Sequence, residues 1–161
     1  MNRSDKTGIR EDKPRKETVI ALNKKAYHDY EILSKYDAGM VLTGTEVKSL
    51  REHKASLVDA YARTKNGEVW LINSNIPVYK LGTYTNHEPM RNRKLLLKKS
   101  EIRKLDQKLK DRSLTVVPLK LYFSGPYIKI ELGLAKGKRK YDKREAIKKA
   151  EMQRKLKRVR I

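Results

Sequence analysis

Residues 58–73 read VDAYARTKNGEVWLIN, and this stretch decides the fold. Apolar and polar side chains alternate from Val58 to Arg63, which is the pattern of a strand with one buried face. Asn66-Gly67 follows, and this pair tolerates the positive φ angles that a two-residue hairpin turn requires. A second run rich in apolar residues, 68–73, comes directly after the turn. The stretch therefore predicts an antiparallel β-hairpin.

Strand patterns recur on both sides of this hairpin. We predict strands at 18–22, at 27–36 and 38–43 with a turn at Asp37, at 114–123 with a bulge or an edge at Pro118, and at 128–134. Two short helices are predicted between them, one at 46–52 capped by Thr45 and one at 100–111 capped by Ser100. Residues 79–94 lack periodicity and predict a long loop. A mainly β fold with small helices favours a compact antiparallel barrel, because closure removes exposed edges.

The chain is strongly basic, and the charge is concentrated at its end. Its 161 residues carry a formal net charge of +21. The length predicts one domain with two tails: a flexible lead-in at 1–17, a barrel at 18–132 and a basic tail at 133–161. The tail has thirteen Lys and Arg against three acidic residues, and too few apolar side chains to fold alone. Such an arm orders on a polyanion, because each neutralised phosphate releases counterions.

Other functional classes have weaker signals. The sequence has no Cys, no apolar leader and no membrane-spanning run, so we expect a cytoplasmic protein. A membrane-surface role is disfavoured because no apolar anchor accompanies the charge. The three histidines lack metal-ligand spacing, and we expect neither a metal nor a cofactor. His28 beside Asp29 and Glu31 is a candidate acid–base site, but hydrogen bonding across a strand explains these residues better. We predict a binding protein and not an enzyme.

Two features suit RNA binding. The first is a basic cluster around three leucines, which comprises Arg91, Arg93, Lys94, Lys98 and Lys99. An ordinary solvated face around a core strand is the alternative explanation for it. The second is a set of tyrosines, Tyr27, Tyr30 and Tyr36. These fit equally well as stacking platforms for exposed bases and as caps over a barrel interior.

Four ordered blocks of sequence carry a resemblance to a known family. They are Asn23-Lys-Lys-Ala26 with His28-Asp-Tyr30, Gly44-Thr-Glu-Val-Lys-Ser-Leu-Arg51, Glu88-Pro89 with Arg91-x-Arg-Lys-Leu-Leu-Leu97, and Ala135-Lys-Gly-Lys-Arg139 with Tyr141-Asp-Lys-Arg-Glu145. Together they resemble the SmpB family of bacterial ribosome rescue, over residues 20–145. Beyond this range only the basic character is shared.

The resemblance implies both a fold and a function. It implies an OB-like closed antiparallel barrel of about six strands, with a tail that is disordered until bound and helical on the ribosome. It implies binding to the tRNA-like domain of tmRNA (SsrA RNA) and rescue of stalled ribosomes by trans-translation. The barrel would replace the missing anticodon arm, and the tail would occupy the decoding centre and empty mRNA channel of the small-subunit rRNA. Elongation factor Tu with GTP is the expected delivery partner.

The family's functional positions are carried over to this chain one by one. On the barrel they are Asn23, Lys24, His28, Asp37, Arg91, Arg93, Lys94, Leu96 and Lys98. In the tail they are Lys136, Lys138, Arg139, Lys140, Tyr141, Asp142, Lys143 and Arg144. Two departures matter: Asp37 stands where Glu is common, and His53 stands where Gly is common. The shorter carboxylate of Asp37 puts its direct contact with RNA in doubt. His53 puts the local turn geometry in doubt.

The residues leave one general alternative open. A basic OB-type ribosomal or single-strand RNA-binding protein without a rescue role has the same charge and barrel signature. Within the tail, Met152, Leu156 and Val159 fall on one helical face. We therefore predict a tail helix capped by Asp142.

Overall fold

The computed structural model describes residues 17–82, 86–138 and 150–155, and their elements alternate between strands and short helices. The strands are β1 (Glu17–Leu22), β2 (Tyr30–Met40), β3 (Tyr61–Lys65), β4 (Glu68–Ile72), β5 (Arg93–Leu96), β6 (Leu114–Ser124) and β7 (Tyr127–Gly137). The helices are α1 (Lys24–Asp29), α2 (Gly44–Arg51) and α3 (Lys99–Lys108). Residues 150–155 are also helical, whereas the predicted cap of the tail helix at Asp142 lies outside the described residues.

Six of these strands close into an antiparallel barrel. The order around the ring is β6, β3, β4, β5, β2 and β7, and β7 pairs with β6 to close it. β1 is added alongside the second half of β6, where Glu17 pairs with Ser124 and Leu22 with Lys120. The predicted closed barrel of about six strands is therefore confirmed.

The predicted hairpin and the predicted irregularity at Pro118 are both present. β3 and β4 pair around Asn66 and Gly67, whose φ angles are +51° and +73°. In β6, the register with β7 shifts between Pro118 and Lys120. Because β6 has neighbours on both sides, Pro118 marks a bulge and not an edge.

The segment around the first basic block differs from the prediction. Residues 27–29 were predicted as strand but belong to helix α1, because Asn23 caps that helix by accepting a hydrogen bond from the Ala26 amide. Asp37 was predicted as a turn but lies inside β2, paired with Glu131 of β7. An alternating sequence thus continues as one strand of 11 residues.

Both predicted helix caps are displaced by two residues. Thr43, and not Thr45, caps α2, and it forms a reciprocal capping box with Glu46. Lys98, and not Ser100, precedes α3, and its amide donates to the Glu101 carboxylate at 3.3 Å. In both helices a Glu at the third helical position fixes the start, because its carboxylate reaches back to the cap amide.

The core lies inside the barrel and continues past residue 132. Ile130, Leu132 and Leu134 of β7 are fully buried, as their alternation predicted. β7 extends to Gly137, with Ala135 also buried, so the sheet includes the first five residues of the predicted tail, 133–137. β5 likewise begins at Arg93, inside the stretch predicted as a loop.

Candidate nucleic-acid interface

The predicted binding residues of the barrel fall at the two ends of β2. Asn23, Lys24 and His28 belong to α1 or its cap, immediately before Tyr30. Leu96 pairs with Gly39, near the other end of the strand. We call these the α1 end and the Leu96 end.

At the α1 end, Asn23 holds the helix while its neighbours face outward. Asn23 is 4% exposed, and its amide donates to the carbonyls of Pro118 at 2.8 Å and Leu57 at 3.2 Å. Lys24 and His28 are exposed, and His28 Nδ1 lies 3.0 Å from a carboxylate oxygen of Asp29. The buried amide of Asn23 therefore orients two exposed side chains that can contact a phosphate or a base edge.

The same end receives the first residues of the predicted tail surface. Lys136 lies in β7 opposite Glu31, and the Lys138 amide donates to the carbonyl of Asp29 at 3.0 Å. Lys138 Nζ also reaches the Tyr27 carbonyl at 3.4 Å. The chain therefore leaves the barrel beside α1. The remaining predicted tail residues lie outside the described residues: Arg139, Lys140, Tyr141, Asp142, Lys143 and Arg144.

At the Leu96 end, a shallow depression combines apolar surface with charge. Gly39 pairs with Leu96 of β5 on one side and with Lys129 of β7 on the other. A Cβ on Gly39 would lie 3.4 Å from that of Leu96. Leu96 is 51% exposed, and Asp37 and Lys98 line the same depression. An exposed leucine flanked by lysines can accept a base and its phosphate together.

Asp37 has a partner that the sequence did not indicate. The hydroxyl of Tyr122, a residue only 3% exposed, donates to Asp37 at 2.8 Å. Burial of Tyr122, and then its hydrogen bond to Asp37, hold the pKa of the phenol well above its ordinary value. Tyr122 therefore stays a donor, and it fixes the shorter Asp37 carboxylate at the rim of the depression.

Arg93 does not belong to an exposed surface. Its side chain is fully buried, and it donates to the carboxylate of Glu46, to both the carbonyl and the hydroxyl of Ser74, and to the Pro89 carbonyl. The expectation that Arg93 touches RNA is corrected by this burial. Charge alone could not distinguish a surface arginine from one that pairs with a buried glutamate.

Glu46 is the buried partner at the centre of this network. Burial raises the pKa of Glu46, but hydrogen bonds from Arg91, the Thr43 amide and Arg93 outweigh it, and the pKa lies below its ordinary value. The carboxylate is therefore ionised and holds both arginines. This ties α2 to the segment that leads into β5.

Arg91 and Lys94 are half-buried and already paired. Arg91 Nη2 lies 2.5 Å from Glu46 and also donates to the Val41 carbonyl. Lys94 Nζ lies 3.1 Å from Glu68, with both side chains about two-fifths exposed. A pair as exposed as Lys94–Glu68 is worth little, so Lys94 can exchange Glu68 for a phosphate.

The depression also contains residues that were not predicted to bind. Lys129 lines it next to Leu96, and Tyr127, which is 56% exposed, lines an adjoining depression that shares Leu96 and Lys129. Their outward positions in the alternation of β7 were the available signal. Among the tyrosines that were predicted, Tyr27 is exposed with Lys35 above its ring, whereas Tyr36 packs against the core.

Within the described ranges, no group of three acidic or histidine side chains could hold a metal ion. Nor is any described helix long and apolar enough to cross a membrane.

The closed barrel, the surplus of positive charge and the mixed apolar and basic depression together define a small nucleic-acid-binding barrel protein.

Comparison with known proteins identifies the family. The family model described as SmpB protein matches residues 20–160. An SsrA-binding protein of Carboxydothermus hydrogenoformans is 56% identical over 140 residues, which covers 87% of this chain and 94% of that protein. One from Thermobifida fusca is 54% identical over 150 residues, covering 93% and 94%.

A solved structure agrees with these sequence relatives. It is described as "tmRNA-SmpB: a journey to the center of the bacterial ribosome", and one of its chains is 48% identical, with a TM-score of 0.64. The alignment covers 84% of this chain and 95% of that one. The chain therefore belongs to the SmpB family.

Proposed function

We propose that this protein binds the tRNA-like domain of tmRNA and acts with it on stalled ribosomes in trans-translation. The match of the SmpB family model to residues 20–160 carries this proposal. Relatives that are more than half identical are SsrA-binding proteins, and the description of the similar solved structure names tmRNA, SmpB and the bacterial ribosome. The protein binds and positions RNA, catalyses no reaction itself, and works in the cytoplasm with the ribosome.

The Leu96 end is the first candidate contact with tmRNA. Leu96 offers half its surface to a base, while Lys98 and Lys129 lie beside it to meet the phosphates. Lys94 adds a third cation two residues from Leu96 on the same face of β5, once it releases Glu68. Tyr122 orients Asp37 to accept a hydrogen bond from an RNA amine or hydroxyl.

The α1 end presents Lys24 and His28 next to the point where the tail leaves the barrel. Lys136 and Lys138 lie there too. Lys136 is a residue of β7 that pairs with Glu31, and the Lys138 amide donates to the carbonyl of Asp29 in α1. In this proposal the residues from Arg139 to Arg144 continue into the decoding centre and the empty mRNA channel. Aminoacylated tmRNA brings elongation factor Tu with GTP to the same assembly.

The test begins with capture of RNA from a bacterial lysate on the tagged full-length protein. Sequencing of the bound RNA is expected to show strong enrichment of tmRNA. Ribosomal and messenger RNA bound in proportion to their abundance, without such enrichment, would instead identify a general basic RNA-binding barrel and refute the proposal.

A pair of leucine variants then locates the binding face. Leu96→Ala removes apolar surface that is half exposed in the free protein, which should weaken tmRNA binding about fivefold if that surface is covered by RNA. Leu81→Ala is the matched control, because Leu81 is 79% exposed and lies outside both ends of β2. Equal affinities of the two variants would exclude the Leu96 end.

A further inference from the structure

Helix α3 carries two short rows of basic side chains that neither end of β2 includes, Lys99 with Arg103 and Lys104 with Lys108. With two further cations in the short turn after the helix, they form one exposed set: Lys99, Arg103, Lys104, Lys108, Lys110 and Arg112. We call this set the α3 ridge. The helix is about 15 Å long, and residues four apart are separated by about 6 Å along its axis.

None of the cations of the α3 ridge is held in an ion pair in the described part of the chain, since no carboxylate there lies within 4.0 Å of any of them. The nearby acids have other partners. Glu101 accepts from the Lys98 amide, Asp106 from the Thr64 hydroxyl, and Asp111 from Ser113. The six cations are therefore free to meet an external anion, although Glu101, Asp106 and Asp111 lower the net charge of the segment from +6 to +3.

The spacing of these cations costs helix stability. Lys99 and Arg103 are four residues apart, as are Lys104 and Lys108. Like charges at this spacing each destabilise a helix by about 0.2–0.5 kcal/mol. A polyanion lying along the helix would remove this repulsion. The repulsion within these two pairs is unfavourable in the free protein, although Glu101 and Asp106, each three residues from a ridge cation, offset part of it.

The apolar face of α3 is already occupied. Leu105 is fully buried, and Ile102 and Leu109 pack against the barrel core. The exposed face therefore has no apolar side chains to insert into a lipid bilayer or to form the centre of a protein interface. Charge without an apolar anchor is the pattern of a phosphate-binding surface.

We propose that the α3 ridge is a second RNA-docking surface, which binds the phosphate backbone of double-helical RNA without reading its sequence. This inference rests on the proposed function and extends it to a separate face. Lys98 and Glu101 border the Leu96 depression, whereas Asp106, one turn or more further on, bonds to Thr64 of β3. The ridge thus begins beside the depression and leads away from it. A helix with cations about 6 Å apart suits a row of phosphates on an A-form duplex.

The test replaces three ridge cations in the full-length protein with glutamine: Lys99→Gln, Arg103→Gln and Lys104→Gln together. Glutamine has nearly the same helix propensity as Lys and Arg, so the fold is retained and the thermal midpoint should not fall. The control combines Arg51→Gln, Lys65→Gln and Lys80→Gln. It removes the same charge from three exposed positions outside α3.

Binding is measured against salt concentration with three RNAs: a short duplex of arbitrary sequence, the tRNA-like fragment of tmRNA, and isolated small ribosomal subunits. For the duplex, the slope of log K against log salt should fall by about two to three units in the ridge variant, about one for each lost phosphate contact. The control should keep its slope. A reduced slope with the tmRNA fragment or with the subunits then identifies which RNA the ridge meets.

Three outcomes would overturn the inference. The ridge variant could keep the slope of the wild type with every RNA, or the control could lose as much as the ridge variant. The ridge variant could also lose binding to polyglutamate while it keeps binding to RNA, which would assign the face to an acidic protein. In each case, retained binding of the wild type to the tmRNA fragment would leave the proposed function standing.

Discussion

Replacing Arg93 with methionine should destabilise the barrel and leave its RNA surface intact. Arg93 is fully buried and makes hydrogen bonds to Glu46, Ser74 and Pro89. Methionine removes the charge while it fills part of the volume. Removal of one partner from a buried ion pair costs about 3–5 kcal/mol, because it leaves the other charge uncompensated.

The structure places the expected loss near the lower end of that range. Glu46 keeps two other donors, Arg91 at 2.5 Å and the Thr43 amide at 2.8 Å. We therefore expect a loss of about 3 kcal/mol, which lowers the thermal midpoint of a domain of this size by about 10 °C. The double variant Glu46→Gln with Arg93→Met should recover part of the loss, because it leaves no unpaired carboxylate.

The assay is urea and thermal unfolding followed by circular dichroism, with tmRNA binding measured at a temperature where every variant is folded. Lys80→Met is the control, since this exposed side chain, outside both ends of β2, should change the free energy of unfolding by less than about 0.5 kcal/mol. An Arg93→Met protein as stable as the wild type would refute the reasoning. A folded Arg93→Met variant that binds tmRNA more weakly would also refute it, because that result would mean that Arg93 contacts RNA.

Three further predictions concern protonation, the depression and the tail. Because the pKa of Glu46 is lowered in the fold, its contribution to stability is present above about pH 4.5 and disappears as the pH falls through the folded-state pKa; unfolding titrations should therefore show a smaller acid loss in Glu46→Gln. Tyr122→Phe should cost about 1 kcal/mol of unfolding free energy and release Asp37, and unchanged tmRNA affinity would exclude a role for that orientation. Deletion of residues 139–161 should leave the thermal midpoint and tmRNA binding near those of the full chain but abolish peptide tagging on ribosomes with truncated message; an unfolded product would show that the two parts are not separable.

Local patterns were sufficient to predict most of the barrel. The Asn66-Gly67 turn, the alternation in β7 and the irregularity at Pro118 depend on neighbouring residues, and all three are present. The region at 27–37 was wrong in detail because its structure depends on distant partners. Asn23 is held by Pro118, and Asp37 by Tyr122, so neither role can be read from adjacent residues.

In the basic cluster, too, the role of a residue cannot be predicted from its neighbours in sequence. Arg91, Arg93 and Lys94 look equivalent in sequence, yet one is buried and the other two are half-exposed and paired. Glu46 on α2, which lies 47 residues before Arg93, pairs with both arginines, whereas Lys94 pairs with Glu68. A charged residue in a short helix predicts an exposed face, and only the fold reveals that Glu46 lies inside.

β7 runs beside β2 from one of its ends to the other and so fixes the distance between them. This strand begins at the Leu96 depression, where Lys129 pairs with Gly39, and ends at Gly137 beside α1. The intervening residues make about 30 Å of strand. β7 pairs with both β2 and β6 along this length, so the two ends are held at a fixed separation by the most extensive pairing in the barrel. If RNA binds at the Leu96 end, as we propose, it and the residues that follow Lys138 beside α1 could engage different partners simultaneously. The barrel would then act as a rigid spacer, and loss of its pairing would uncouple the two contacts even if each remained chemically intact.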